Sequence, residues 1–198
     1  MKVLAIESST RRPAVAVGED GQLAAATWLP HDSRPTAALV PAIRDLCRSV
    51  GWSPNQLDLV CVDIGPGSYT GLRVGLACAK TLAFAAGAAL ATAESLEVTA
   101  HNAEASESLV EVAFDAARGQ VFAGRFRRTR DAWSARQPVR IVAAEDWARQ
   151  LDPSTLVLGP ALARYRELLP PRHRVADEAA WWPRPEWVMA LGWRQFQT

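Results

Sequence analysis

A glycine-rich loop at residues 65–75 constrains this chain more than any other segment. It reads GPGSYTGLRVG, follows the apolar run 59–64, and precedes a long apolar stretch with helical spacing. Glycine permits positive φ angles and close backbone approach, proline fixes its own φ angle, and serine is a good helix N-cap. The loop therefore predicts a buried strand, a tight turn and a helix start. Its defining residues are Gly65, Pro66, Gly67, Ser68, Gly71 and Arg73.

The same loop has two interpretations, a structural turn or an anion-binding loop. Free N–H groups at a helix N-terminus favour an anion, which supports a phosphate ligand. The glycine spacing here is G-x-G-x-x-x-G followed by Leu72 and Arg73. Nucleotide-binding loops require G-x-G-x-x-G, or a last glycine followed by Lys and then Ser or Thr. Neither nucleotide motif is present, and the residues alone leave both interpretations open.

Composition limits the class of protein. The 198 residues are 49% hydrophobic, which is enough for one large or two small domains with a core. A net charge of +1 gives no overall attraction to nucleic acid or to a membrane surface, so we expect any RNA to be held by another chain. The three cysteines stand in apolar runs, which is typical of buried thiols in a reducing, cytoplasmic compartment.

Hydrophobic periodicity divides the chain into two α/β lobes. Residues 1–104 predict three strands, an amphipathic helix, a strand, the helix opened by the glycine loop, and a further strand and helix. A short acidic connector at 103–108 predicts a boundary, so residues 105–198 form a second, smaller lobe. The last eighteen residues hold four of the eight tryptophans, which favours a tail helix packed back on the junction of the lobes.

Three segments stand out together: GPGSYTGLRVG at 65–75, LAIESST at 4–10 and FDAARGQVFAG at 114–124. They resemble the TsaB (YeaZ) family, a subunit of the bacterial machinery that makes threonylcarbamoyladenosine in tRNA. The resemblance extends from Met1 to about Phe126. It implies an α/β fold of the actin-like ATPase (ASKHA), RNase H-like class, with two lobes that each hold a mixed sheet flanked by helices.

The resemblance also implies the role of a non-catalytic subunit. The family binds and activates TsaD, which with TsaE and ATP transfers a threonylcarbamoyl group to the adenosine 3′ of the anticodon. The implied partners are TsaD and TsaE homologues, with a homodimer when the chain is alone and tRNA contacted only indirectly through the complex. No cofactor of its own is implied, and ATP or ADP at the joint with TsaD is left open.

Two helices are expected to form the partner surface. In the family, the first two helices, here about residues 36–50 and 70–86, pack against the same pair on TsaD or on a second copy. The second helix has more apolar and small-residue surface than one sheet can cover, which is typical of a partner surface. We expect the interface to include Leu39, Ile43, Leu46, Leu76 and Lys80.

A stand-alone actin-like ATP-dependent phosphotransferase is an alternative function. It is suggested by loops that follow the order of the phosphate-binding elements in that fold. The first turn has no glycine, so the resemblance implies a degenerate cleft without turnover. The candidates for the phosphate loops are Glu7, Ser8, Ser9, Thr10 and Asp115.

A peptidase is a further alternative, although no Ser-His-Asp or Cys-His grouping can be assigned. The three histidines, at 31, 101 and 173, are far apart and form no His-x-x-x-His pair. A metal site requires clustered His, Asp or Cys ligands. We therefore predict no catalytic residue and no metal site.

Overall fold

The computed structural model describes residues 1–30, 35–130 and 132–198, with only the backbone of residues 35 and 36. His31 lies outside the described residues. Contacts divide the chain into two compact units, the first made of Met1–Ser95 with Arg184–Thr198 and the second of Leu96–Pro183. This division differs from the predicted boundary after residue 104, because residues 96–100 pack with the strands that follow them and the tail packs on the first sheet.

Within residues 1–104, the secondary structure follows the predicted order. The described strands are β1 (Lys2–Glu7), β2 (Ala14–Glu19), β3 (Gln22–Trp28), β4 (Leu59–Asp63), β5 (Ala89–Ala93), β6 (Leu109–Asp115), β7 (Gln120–Thr129), β8 (Ala132–Ala135), β9 (Arg140–Ala143) and β10 (Leu156–Leu158). The described α-helices are α1 (Pro35–Ser49), α2 (Tyr69–Ala86), α3 (Ser95–Ala100), α4 (Ala144–Gln150), α5 (Leu162–Tyr165) and α6 (Pro185–Phe196). Strand β8 was not predicted, because its four residues, AWSA, show little apolar alternation.

The first unit is a mixed sheet with strand order β3-β2-β1-β4-β5. β1 pairs with β2 antiparallel and with β4 parallel, because a short turn joins the first pair and helix α1 crosses over between the second. One face of the sheet packs against α1 and α2 around Leu4, Ile6 and Val60. The other face contacts α6, where a Cβ added at Gly192 would lie 2.4 Å from the Cys61 sulfur.

The burial of α1 corrects three of the predicted interface residues. Leu39, Ile43 and Leu46 are buried in the core of the first unit, where they pack with the strand side chains of β1, β2 and β4. Their apolar spacing reflects the sheet beneath the helix, so they leave no surface for a partner. Leu76 is half-buried and Lys80 is exposed, so these two remain predictions.

The second unit is also a mixed sheet, with order β10-β6-β7-β8 and with β9 paired to β7. β10 and β6 are parallel, whereas β6, β7, β8 and β9 pair antiparallel. The face that carries Val121 packs against α4 and its fully buried Trp147. The face that carries Phe126 packs against α3. Within the described residues, no helix combines the length and the apolar character needed to cross a bilayer.

Candidate functional site

The glycine loop packs against the turn that follows β1. Ser68 donates its backbone N–H to the Ser9 carbonyl at 2.7 Å, and its hydroxyl oxygen accepts the Gly71 N–H at 3.2 Å as the N-cap of α2. The Gly65–Pro66 peptide bond is cis, and Gly65 accepts a hydrogen bond from the Ser95 N–H at 2.9 Å. Both the predicted strand–turn–helix and the predicted cap are therefore present.

Close backbone approach explains two of the loop glycines. A Cβ at Gly67 would lie 2.3 Å from the Ser9 carbonyl oxygen, and a Cβ at Gly71 would lie 2.1 Å from the Ser8 carbonyl oxygen. The start of α2 thus faces the carbonyl groups of its own chain instead of open space for an anion. Of the two interpretations of the loop, this geometry favours the structural turn.

Glu7 is a buried carboxyl at the end of β1. Its Oε1 atom accepts hydrogen bonds from the Ser9 N–H at 2.7 Å and the Ser9 hydroxyl at 2.6 Å. Among the described residues, its Oε2 atom has no hydrogen-bond partner. Burial, followed by the nearby Asp63 carboxylate, raises the pKa of Glu7 well above its usual range. Glu7 therefore gives up its proton less readily than an exposed glutamate.

Asp63 is a second buried carboxyl, at the end of the neighbouring strand β4. Its oxygens accept hydrogen bonds from the Ser8 N–H at 3.0 Å and from the Ser95 hydroxyl at 2.8 Å. Burial raises the pKa of Asp63, against the effect of these hydrogen bonds. The sequence analysis missed this residue. The available signal was a carboxylate that ends an otherwise apolar strand immediately before the glycine loop.

The residues predicted to resemble a phosphate loop form internal hydrogen bonds. Ser8 and Ser9 are buried and bond to Asp63 and Glu7, while the Thr10 hydroxyl oxygen accepts the Arg12 N–H at 3.1 Å. These side chains stabilise the turn after β1 and one another. Among residues 1–30, 35–130 and 132–198, no group of three or more His, Cys, Asp or Glu side chains could hold a metal ion.

Asp115 lies in the second unit, at the end of β6. Its Oδ1 atom accepts the Ala117 N–H at 2.8 Å, and its Oδ2 atom pairs with Arg164 at 3.3 Å. Ala117, Arg118 and Gly119 all have positive φ angles in the turn that follows. Asp115 therefore stabilises this turn, because its carboxylate accepts a hydrogen bond from the backbone N–H two residues further along the chain.

The outward side of α2 carries a continuous stripe that we call the α2 outer face. Its members recur at helical spacing and are Tyr69, Arg73, Leu76, Lys80 and Phe84. Phe84 is 91% exposed and Tyr69 is 73% exposed, which is unusual for aromatic side chains of this size. Arg73 stacks over the Tyr69 ring at 5.2 Å and donates to its hydroxyl at 3.2 Å. On the neighbouring helix α1, Val40 is 58% exposed.

The exposed apolar residues of the two helices were not identified from the sequence. Hydrophobic spacing marks the stripe of α1 that contains Leu39, and that stripe covers the sheet. Val40 and Phe84 lie off the buried stripes of their helices. The available signal was that both are large apolar residues at helical positions outside the stripe that packs on the core.

Comparison with known proteins identifies relatives over the whole chain. Residues 34–149 match the family model described as TsaD: tRNA N6-adenosine threonylcarbamoyltransferase. The tRNA threonylcarbamoyladenosine biosynthesis protein TsaB of Bacillus subtilis is 29% identical and aligns with 97% of this chain and 87% of that protein. The protein of the same name from Escherichia coli is 28% identical over 73% of this chain and 64% of that protein.

A solved structure gives an independent comparison of the fold. YeaZ from Pseudomonas aeruginosa superposes with a TM-score of 0.84 at 23% identity, and the match covers 99% of this chain and 93% of that chain. The predicted fold class, with two mixed sheets flanked by helices in the actin-like, RNase H-like arrangement, is confirmed.

Proposed function

Because the chain belongs to the TsaB (YeaZ) family, we propose that it acts in threonylcarbamoyladenosine biosynthesis as a non-catalytic partner of a TsaD homologue. In this proposal the chain binds the catalytic subunit in the cytoplasm, together with a TsaE homologue, and forms a homodimer when it is alone. It has no nucleotide cofactor of its own, and any ATP or ADP is bound with the catalytic subunit.

The observation that carries the proposal is the exposed apolar character of α1 and α2. Phe84 and Val40 present large apolar side chains to solvent on two helices that are in contact, and Phe84 lies one helical turn after the predicted contact residue Lys80. Burying a side chain of this size contributes about 1.5–3 kcal/mol, so these residues can dominate association. A partner with an apolar helix pair and an acidic group opposite Lys80 fits this surface.

The geometry after β1 supports a non-catalytic role. Each candidate for the first phosphate loop, from Glu7 to Thr10, is buried, and its hydrogen bonds are internal. Glu7 is buried and its hydrogen bonds are to Ser9, so its carboxyl group is not presented to a phosphate-bound cation. We therefore expect the purified chain to bind nucleotide weakly and to hydrolyse none.

Co-purification with a tagged TsaD homologue tests the partner surface. We expect the wild-type chain to be retained and the Val40→Asp/Phe84→Asp variant to lose at least about tenfold in affinity, because a charge replaces apolar contact at the centre of the interface. Ile141→Asp is the matched control, because Ile141 is 59% exposed on the second unit. Retention of the double variant at wild-type affinity would contradict the proposed surface.

A thermal-shift titration with Mg-ATP separates the proposal from the phosphotransferase alternative. A ligand that binds only the folded state raises its stability in proportion to the logarithm of ligand concentration. We expect the melting temperature of the chain alone to stay unchanged as Mg-ATP is added. A melting temperature that rises with Mg-ATP concentration, together with hydrolysis of ATP in the absence of any partner, would favour the enzyme.

A further inference from the structure

A short part of the second unit holds a high density of arginine. Residues 125–140 contain six arginines and one acidic residue, Asp131, which lies outside the described residues. The whole chain has a net charge of +1, so this segment is strongly basic and the rest of the chain is net acidic. The small net charge of the whole chain therefore coexists with a positive electrostatic field around residues 125–140. Such local fields govern the binding of polyanions.

Strand pairing places several of these arginines on one side of the sheet. Arg125 and Arg127 are two residues apart in β7 and point to the same face. Arg136 follows β8 and donates its backbone N–H to the Arg125 carbonyl at 2.8 Å, which continues the β7–β8 register. Arg140 pairs with Ala123, a residue of the same face. We call Arg125, Arg127, Arg136 and Arg140 the arginine face.

Two members of the arginine face share one buried carboxylate. Glu111 on β6 is buried, with 1% of its side chain exposed, and accepts from Arg125 at 2.9 Å and from Arg140 at 3.2 Å. One buried carboxylate between two guanidinium groups leaves a surplus of positive charge. Hydrogen bonds from Ser154 lower the pKa of Asp152, and the positive charge of Arg125 adds to this effect. Glu111 fixes the strands and the positions of the two paired arginines.

The other two members of the arginine face are available to a ligand. Arg127 and Arg136 are exposed, and within the described part of the chain neither forms an ion pair. The Ser134 hydroxyl is exposed directly across the ladder from Arg127. Arg128 points to the opposite face, where it stacks on Trp133 and donates to three backbone carbonyls. The surface thus has two free guanidinium groups held on a rigid sheet.

We propose that the arginine face binds the phosphate backbone of RNA, so that this subunit contacts the substrate tRNA directly. The identity of that RNA as tRNA rests on the proposed function. Guanidinium groups pair with phosphate oxygens in a bidentate manner, and neighbouring hydroxyls add hydrogen bonds. The exposed members of the face are all polar, whereas protein interfaces generally have an apolar centre. This composition favours a nucleic-acid backbone over an acidic protein.

The proposal revises an expectation drawn from the net charge. A value near zero argues against binding RNA only if charge is spread evenly, and here the basic residues are concentrated on one face of one unit. Contacts to phosphate are sequence-independent, so the arginine face positions the tRNA and leaves the choice of adenosine to the catalytic subunit.

Fluorescence anisotropy with an unmodified tRNA transcript tests the proposal on the full chain, alone and in complex with the TsaD homologue. The variant is Arg127→Gln/Arg136→Gln, and the control is Arg11→Gln/Arg172→Gln, which removes the same charge from exposed positions elsewhere. We expect the variant to lose about tenfold in affinity at low salt and the salt dependence to fall by about two phosphate contacts. The control should change affinity by less than about twofold.

The outcomes separate this inference from the function it rests on. If the variant binds the TsaD homologue normally and loses affinity for tRNA, the inference is supported. If complex formation is normal and the variant and control bind tRNA equally, the inference is wrong while the proposed function stands. If the variant instead loses the TsaD or TsaE homologue, the face binds an acidic protein, which also overturns the RNA proposal. If the wild-type chain never associates with the TsaD homologue, the proposed function fails.

Discussion

Glu7 and Asp63 place two carboxyl groups at the ends of neighbouring parallel strands, and neither side chain is exposed to solvent. Two like charges in a dry site repel each other and also lose hydration, so one of them binds a proton. Asp63 accepts the larger set of hydrogen bonds, whereas Glu7 keeps one oxygen without a partner among the described residues. The proton therefore belongs on Glu7.

Glu7→Gln tests this assignment through the pH dependence of stability. Below the ordinary pKa of glutamate both folded and unfolded chains are protonated at this position. Above it the unfolded chain loses its proton while the folded chain keeps one, so stability falls as pH rises through the raised native pKa. The slope is at most about 1.4 kcal/mol per pH unit. We expect Glu7→Gln to gain stability relative to wild type as pH rises above the ordinary pKa of glutamate.

The measurement is urea denaturation at a series of pH values. Glu94→Gln, which changes an exposed glutamate, is the control and should follow the wild-type profile. Parallel profiles for wild type and Glu7→Gln would show that Glu7 is already ionised in the folded chain.

Packing between the turn after β1 and the start of α2 sets which glycines can be replaced. At Gly71 the atom that a Cβ would meet is the Ser8 carbonyl oxygen, at 2.1 Å, and backbone cannot move without disturbing β1. At Gly75 the nearest atoms belong to the Ser8 side chain, the hydroxyl oxygen at 2.1 Å and the Cβ at 2.9 Å, and the hydroxyl can rotate only by leaving Asp63. The same element therefore contains one contact with backbone and one with a side chain.

Gly71→Ala and Gly75→Ala form a matched pair on α2. Gly71→Ala should lower the free energy of unfolding by about 2–3 kcal/mol, because overpacking strains the backbone. Gly75→Ala should cost less, about 1–2 kcal/mol, because the displaced group is a side chain and alanine gains about 1 kcal/mol in helix propensity. Denaturant unfolding at one pH measures both. Equal losses would mean that the distinction between backbone and side-chain contact does not control stability here.

Periodicity predicts which stripe of a helix is apolar, but it does not show whether that stripe packs on the chain's own sheet or on a partner. The stripe containing Leu39 and Ile43 was assigned to a partner and lies on the chain's own sheet. Strands, the glycine turn and the Ser68 cap were predictable because each depends on local residue chemistry. The Glu7–Asp63 pair and the exposed Phe84 depend on distant segments meeting, which spacing along one element does not encode.

At the scale of the whole molecule, the tail belongs to the first unit. Helix α6 buries Val188, Met189 and Leu191 against the sheet. The tryptophan content predicted a tail helix at the junction of the lobes, and the structure shows this helix on the sheet of the first unit. Composition alone did not reveal that the chain leaves the first unit near Ser95 and returns at Arg184, so the predicted division into consecutive segments differs from the structure.

Met189→Ala should loosen α6 and expose the Cys61 thiol beneath it. Burial raises the pKa of Cys61 to about 12, so this thiol reacts slowly while the helix is in place. Removing the buried Met189 side chain costs about 2–5 kcal/mol of packing. We expect alkylation of Cys61, followed by mass spectrometry, to accelerate at least about tenfold more than alkylation of Cys47, which belongs to α1 and is buried in the core on the other face of the sheet.

Leu23→Ala, at an exposed position of β3, is the control and should leave both thiols slow. Equal acceleration of Cys47 and Cys61 by Met189→Ala would mean that the first unit opens as a whole, without separate release of α6.

The placement of α6 also affects how the polypeptide folds during translation. The ribosome synthesises residues 96–183 before residues 184–198, so one side of the nascent first sheet stays uncovered while the entire second unit emerges. That side includes Cys61 and its apolar neighbours, which makes it a natural substrate for a chaperone during this interval. Ribosome stalling or premature termination after the second unit would therefore release an aggregation-prone fragment.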